Sequence, residues 1–149
     1  MNPFDIRTIL LAKHAQHVVL IHFPIALFIL GAVLDFLGQR KKQQLLTGAA
    51  YYNFLASAIM TIPVLITGIL AWQWQLEGQR PKGVLLMHLV LGWVSSVLIW
   101  IVWLIHKRAQ RQPGKILPRY RLAIEALAAI VVALTAHVGG FLSGVNGWG

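Results

Sequence analysis

His17-Val18-Val19-Leu20-Ile21-His22-Phe23-Pro24-Ile25-Ala26-Leu27-Phe28-Ile29-Leu30-Gly31-Ala32-Val33-Leu34-Asp35-Phe36-Leu37 holds one charged side chain, Asp35 near its end, and is otherwise apolar apart from two histidines. About 20 such residues are enough to cross the hydrocarbon core of a bilayer as a helix. Residues 18–37 therefore predict a transmembrane span. Three further stretches read the same way, at residues 45–72, 84–105 and 122–142. They are divided by Gln39-Arg40-Lys41-Lys42-Gln43-Gln44, by Glu77-Gly78-Gln79-Arg80-Pro81-Lys82-Gly83, and by the longer polar segment 106–121. The whole chain agrees: 58% of its 149 residues are hydrophobic and 11% charged, and mean hydropathy is +0.70. Soluble domains are roughly 45–50% apolar.

The expected fold is all-α and integral to the membrane, with four transmembrane helices in an up-down bundle. No linker rich in Ser, Gly or Pro divides the chain, so residues 1–149 are expected to form one domain. The formal charge of +9 would point to nucleic acid on a soluble protein, but here the cations cluster between apolar spans, and no nucleic-acid partner is expected. Nine of the 13 Lys and Arg residues fall in the first and third connections: Arg40, Lys41 and Lys42, then Lys107, Arg108, Arg111, Lys115, Arg119 and Arg121. The other face has Arg7, Lys13, Arg80 and Lys82. By the positive-inside rule both termini are periplasmic, in a bacterial inner membrane. Residues 1–16 are expected as a short amphipathic surface helix or a tail, with no cleaved leader. Trp72 and Trp74 at the outer end, and Trp100 and Trp103 near the inner end, fit interfacial aromatic belts. Trp93 lies deeper in the third span, where it would either anchor or flank a cofactor.

Ionisable residues inside a bilayer are costly and normally face the bundle interior with partners. His22 lies about five residues into the first span, His88 about four into the third, and His137 about five from the end of the fourth. At about 1.5 Å per residue the three share one depth, roughly 6–8 Å below the outer boundary. His17 is about 7.5 Å higher than His22 and rotated by about 140° from it. With no cysteine in the chain, thiolate sites, iron–sulfur clusters and covalent haem are excluded. Imidazoles alone suit haem iron, copper or zinc. Haem needs two imidazoles on opposite faces of a ring, a separation that suits diagonal helices better than neighbours at 8–10 Å. In an up-down bundle that favours His22 with His88 as axial ligands, with His137 at the ring edge and His17 above it or on a second haem.

Small residues surround the last histidine, and Gly139 and Gly140 would let backbone approach a flat ligand or another helix. Gly140 and Gly144 also have a helix-packing spacing. Pro24 and Pro63 would kink their spans or simply be tolerated there. Asp35 and Glu125 lie near the cytoplasmic end, more than about 15 Å from the histidine layer, as partners of flanking cations or a proton-path pair. His14 and His106 read as interfacial. Asn53, Ser57 and Thr61 recur at helical spacing, as a polar packing seam or the wall of a quinone site.

The run His17-Val18-Val19-Leu20-Ile21-His22-Phe23-Pro24-Ile25-Ala26-Leu27, with Asp35, a histidine opening the third span and Thr135-Ala136-His137-Val138-Gly139-Gly140, resembles the bacterial predicted-membrane family known as domain of unknown function two-two-three-one. The similarity extends over about residues 14–146. It implies four spans and importance for His17, His22, His88 and His137. Members usually carry proline after the first histidine, where Val18 stands here. The arrangement is also similar in style to small di-histidine b-type cytochromes, as an analogy.

The resulting expectation is a membrane b-type cytochrome-like electron carrier, or a subunit of an oxidoreductase complex. It would bind haem b through His22, His88, His137 and His17, beside Gly139 and Gly140. Electrons would pass between a periplasmic cytochrome or dehydrogenase and quinone or a larger complex. The rivals are a copper- or zinc-binding membrane protein using the same histidines, and a structural subunit or homo-oligomer whose histidines bind nothing.

Overall fold

The computed structural model describes residues 13–75, 80–112, 114 and 116–143, without the side chains of residues 13, 14, 74 and 75. The expectations for residues 1–12, for Gly144 and for the side chains of His14 and Trp74 lie outside that description. The described residues form four α-helices and no strand: α1 (Lys13–Lys41), α2 (Gln44–Gln75), α3 (Gly83–Gln110) and α4 (Arg121–Leu142). All four are long and apolar enough to cross a membrane. The first three run several residues past the apolar stretches that announce them. A helix satisfies its backbone groups internally and so continues into the polar interface.

The bundle packs α1 closely on α2 and α3 closely on α4, while α2 with α3 and, more sparsely, α1 with α4 close the remaining seams. The α1–α2 hairpin is tight because its last turn is capped. Gln43 N donates to Gly38 O at 2.9 Å and Lys42 N to Gln39 O at 3.3 Å, with Lys42 left-handed at φ 52°. This is the Schellman arrangement that ends many helices. A methyl group at Gly38 would lie 2.8 Å from Thr47 Cγ2, and one at Gly31 3.0 Å from the Phe54 ring. Glycine at both positions lets the two helices meet.

The interior is built from Phe28, Phe54, Ile99 and Val102 together with small residues such as Ala50, Ala58 and Ala128. The outer surface is the more apolar one: Phe23, Val33, Ile66, Val90, Val97 and Ile130 are all about half exposed. Large apolar side chains outside and small ones at helix contacts are the pattern of a bundle solvated by lipid.

Most seams carry a polar tie. Ser57 Oγ donates to Pro24 O (2.8 Å) between α1 and α2, and Trp100 Nε1 donates to Thr61 Oγ1 (3.1 Å) between α2 and α3. Between α3 and α4, Ser95 and Thr135 share a 2.7 Å hydroxyl contact. Ser57 and Thr61 are thus packing-seam residues, while Asn53 Nδ2 turns back to Ala49 O of its own helix. Trp103 is buried in the bundle instead of anchoring at the interface, because it shares the inward face of α3 with Ile99 and His106. Trp93 is 53% exposed, so it faces outward and flanks no interior group.

Candidate functional site

Two clusters of ionisable and ligand-capable side chains occupy opposite ends of the bundle. Along α3 they are marked by His88 and His106, about 27 Å apart at helical rise.

At the first end, the imidazoles of His17 (α1) and His88 (α3) face one another with ring centroids 6.3 Å apart and planes 85° apart. They come from helices that pack on shared neighbours more than on each other. Each ring rests against a glycine of a third helix. A Cβ at Gly68 in α2 would lie 3.0 Å from Cε1 of His17, and one at Gly139 in α4 would lie 2.9 Å from Cε1 of His88. The ring that Gly139 admits is thus an imidazole.

The tautomers follow from counting protons. The single hydroxyl proton of Thr67 is directed to Pro63 O (2.8 Å) and Val64 O (3.1 Å) of its own helix. Its oxygen is left to accept from His17 Nδ1 at 3.3 Å. His88 Nδ1 lies 3.2 Å from the carbonyl of Thr135, which can only accept. A neutral ring that donates through Nδ1 in this way carries its lone pair on Nε2. Orientation of an imidazole through its other nitrogen by a carbonyl or hydroxyl is how metal-binding histidines are held.

The other two histidines of this end point elsewhere. His22 is exposed, and its Nδ1 donates to Val18 O of the preceding turn at 2.7 Å. His137 is also exposed, with its ring edge-on to Phe141 one turn on, centroids 5.1 Å apart. Equal depth does not bring His22, His88 and His137 together, since depth leaves rotation about each helix axis open. The residue brought to His88 is His17, on the face of α1 turned about 140° from His22. Gly140 O accepts from Ser143 Oγ at 3.2 Å.

At the second end, Arg121 of α4 grips Asp35 of α1 through Nε and Nη2, both 2.9 Å from Oδ2. Its Nε also lies 3.7 Å from Glu125 Oε1. His106 Nε2 of α3 donates to that same oxygen at 2.9 Å, and Phe54 of α2 covers the imidazole at a centroid distance of 4.7 Å. All four polar residues are at least 94% buried, and Asp35 is wholly so. Asp35 Oδ1 has no hydrogen-bond partner among the described residues.

Asp35, His106 and Glu125 each offer a ligand atom within 4.8 Å of the others, the geometry of a small cation site. The guanidinium of Arg121 already stands among them and supplies positive charge to both carboxylates. The chemistry of the group is accordingly that of a desolvated ion-pair lock joining three helices. His106 was expected at the interface from its place at the end of an apolar run. No sequence pattern marks its burial, which comes from Phe54 and Glu125 on two other helices. A Thr-Gly pair toward the C-terminal end of α2, Thr67-Gly68, is the one trace in the sequence of a ring packed there.

Four apolar helices with paired histidines at one end and an ion-pair lock at the other define a polytopic membrane protein. The chain belongs to the family described as Predicted membrane protein (DUF2231), whose match extends over residues 13–149. No curated protein and no solved structure matches it.

Proposed function

We propose that the protein is a b-type cytochrome-like electron carrier of the bacterial inner membrane, holding haem between His17 and His88. One observation carries this reading: two imidazoles from non-neighbouring helices, each held through Nδ1, with centroids 6.3 Å apart. An imidazole nitrogen about 2 Å from a metal puts its ring centroid roughly 3.1 Å away, so two rings on opposite sides of one ion have centroids about 6.3 Å apart. Near-perpendicular ring planes are compatible with that placement. His17 and His88 would hold the haem iron through Nε2, and the group so held would supply one-electron transfer chemistry. Gly68 and Gly139 then serve to seat the ligands. His22 and His137, at the same end but outward, belong to the rim.

The same facing pair also suits a two-coordinate copper ion, with zinc as a further candidate. An absorbance spectrum of the purified protein, oxidised and dithionite-reduced, beside metal analysis decides between them. The expected result is a Soret band with a sharpened α-band on reduction, lost in His17→Ala and His88→Ala and kept in His22→Ala. Stoichiometric copper or zinc without a Soret band would overturn haem. Full cofactor retention in both His17→Ala and His88→Ala would overturn the ligand pair.

The up-down arrangement with periplasmic termini rests on the distribution of Lys and Arg and puts the histidine pair near the periplasmic face. Electrons would then pass between a periplasmic redox partner and the quinone pool or a larger complex. The chain has no native cysteine, so single cysteines at Gln43, Arg80 and Gln112 test the orientation. Labelling by an impermeant thiol reagent from the periplasm is expected at position 80 alone.

A further inference from the structure

The end of α3 that carries the lock also carries the half-buried Lys107 and the exposed Arg108, with the exposed Arg111 at its C-cap. Two open grooves flank Arg108. The larger, about 560 Å³, runs between α3 and the segment leading into α4, lined by Ile101, Leu104, Ile105, Ile116 and Tyr120 together with Arg108 and Gln112. The smaller, about 290 Å³, is lined by Leu104, Lys107, Arg108 and Arg111. Both grooves present mainly apolar wall, the smaller one with three cationic side chains among its lining, and they share Leu104 and Arg108.

We infer that these joined grooves bind an anionic phospholipid, with its phosphate among Lys107, Arg108 and Arg111 and an acyl chain along Ile101, Leu104 and Ile105. Three observations carry the assignment. The first is charge. The described acidic residues are Asp35 and Glu125, both buried and tied to Arg121 and His106. No described carboxylate is left to neutralise this face, and a basic cluster at the cytoplasmic end of a membrane helix attracts anionic headgroups. The second is order along the helix. Apolar 101, 104 and 105 are followed by basic 107, 108 and 111, so the stripe changes from chain-like to headgroup-like over about 15 Å, in the sense in which a lipid lies against a bundle. The third is fixation. Lys107 Nζ is held 4.5 Å above the centroid of the buried Trp103 ring, which keeps one of the cations over the smaller groove.

The reading is independent of the histidine pair, about 27 Å away along α3, and survives if no haem is bound. The test uses the full-length protein in a neutral detergent, with native mass spectrometry of bound phosphatidylglycerol or phosphatidylcholine at equal concentrations. Phosphatidylglycerol is expected to be retained at least about tenfold better, and the doubly substituted Arg108→Gln, Arg111→Gln protein to lose that preference by roughly 10- to 30-fold, as two removed surface cations should. Both side chains are exposed, so the fold is kept. An Arg40→Gln, Lys41→Gln control on the neighbouring connection is expected to leave retention unchanged. Leu104→Trp, which fills the shared wall, is expected to weaken the diacyl lipid. Equal retention of the two lipids, or an unchanged preference in the Arg108 and Arg111 variant, would overturn the site. Displacement of the lipid by millimolar inorganic phosphate would reassign it to a soluble phosphate.

Discussion

A methyl group on Gly139 would stand 2.9 Å from the Cε1 of His88, closer than real carbon contacts allow, and the imidazole cannot swing away without leaving Thr135 O. Gly139→Ala is therefore expected to cost about 1–3 kcal/mol, the usual range for overpacking, and, under the proposed haem reading, to reduce haem per protein by displacing His88. Gly92 on α3 provides the contrast, since a methyl there meets nothing within 4 Å. Gly92→Ala should leave the spectrum unchanged and gain about 0.5–1 kcal/mol from helix propensity. Thermal unfolding in detergent and the Soret absorbance per protein report both changes. If Gly139→Ala keeps full stability and haem, the glycine does not seat the ligand. At this scale the sequence was partly legible. It favoured His22 with His88 as the ligand pair and set His17 above them, whereas the ring beside His88 in the bundle is that of His17. That choice depends on which face of α1 turns inward, and His17 is turned inward by Thr67 and Gly68 of another helix.

The helices themselves were the most legible level, because a run of about 20 apolar residues between polar breaks has few other solutions. Their ends were less so. Apolar length measures the hydrocarbon crossing, while the helix stops where its backbone is capped. For α1 that place is Lys42, a side-chain-bearing residue held at φ 52° in a position where glycine is usual. The left-handed conformation costs an L-residue roughly 1–2 kcal/mol. Lys42→Gly is expected to relieve part of it and to stabilise the α1–α2 hairpin by about 1 kcal/mol, read as a higher midpoint of thermal unfolding with unchanged helix content. A lower midpoint would mean that the lysine's charge at the interface outweighs the backbone gain. The polar seam was also legible as spacing: Ser57 and Thr61 lie one turn apart and tie α2 to α1 and α3 in succession.

For the whole molecule the apolar outer surface gives lateral packing little directional force, since lipid is as good an environment for Leu and Ile as another helix is. Specificity then falls to the few groups that lipid cannot satisfy. The Asp35–Arg121–Glu125–His106 cluster joins α1, α3 and α4, and it lies at the seam where α1 and α4 have little other contact. Sequence analysis placed Asp35 and Glu125 at that end with basic partners, yet it could not see that Arg121, counted among the connection cations, is drawn inside. Arg121 is buried because both carboxylates lie within its reach. Removing it should expose how much of the bundle's order rests on this contact. Arg121→Met leaves Asp35 without a partner and Glu125 with His106 alone in a buried site, and is expected to destabilise the protein by about 3–5 kcal/mol. Changing Asp35, Arg121 and Glu125 together to apolar residues of similar volume should recover most of that loss, because the desolvation cost disappears with the charges. The decisive measurement is a comparison of thermal midpoints for the single and triple variants. A triple variant as unstable as Arg121→Met would mean that the ion pairs supply net attraction beyond their desolvation cost. Recovery would mean that the lock's role is to select one arrangement of α1 against α4, and under the proposed haem reading the recovered protein should then hold less haem, because loss of helix register at this end displaces His17 at the other.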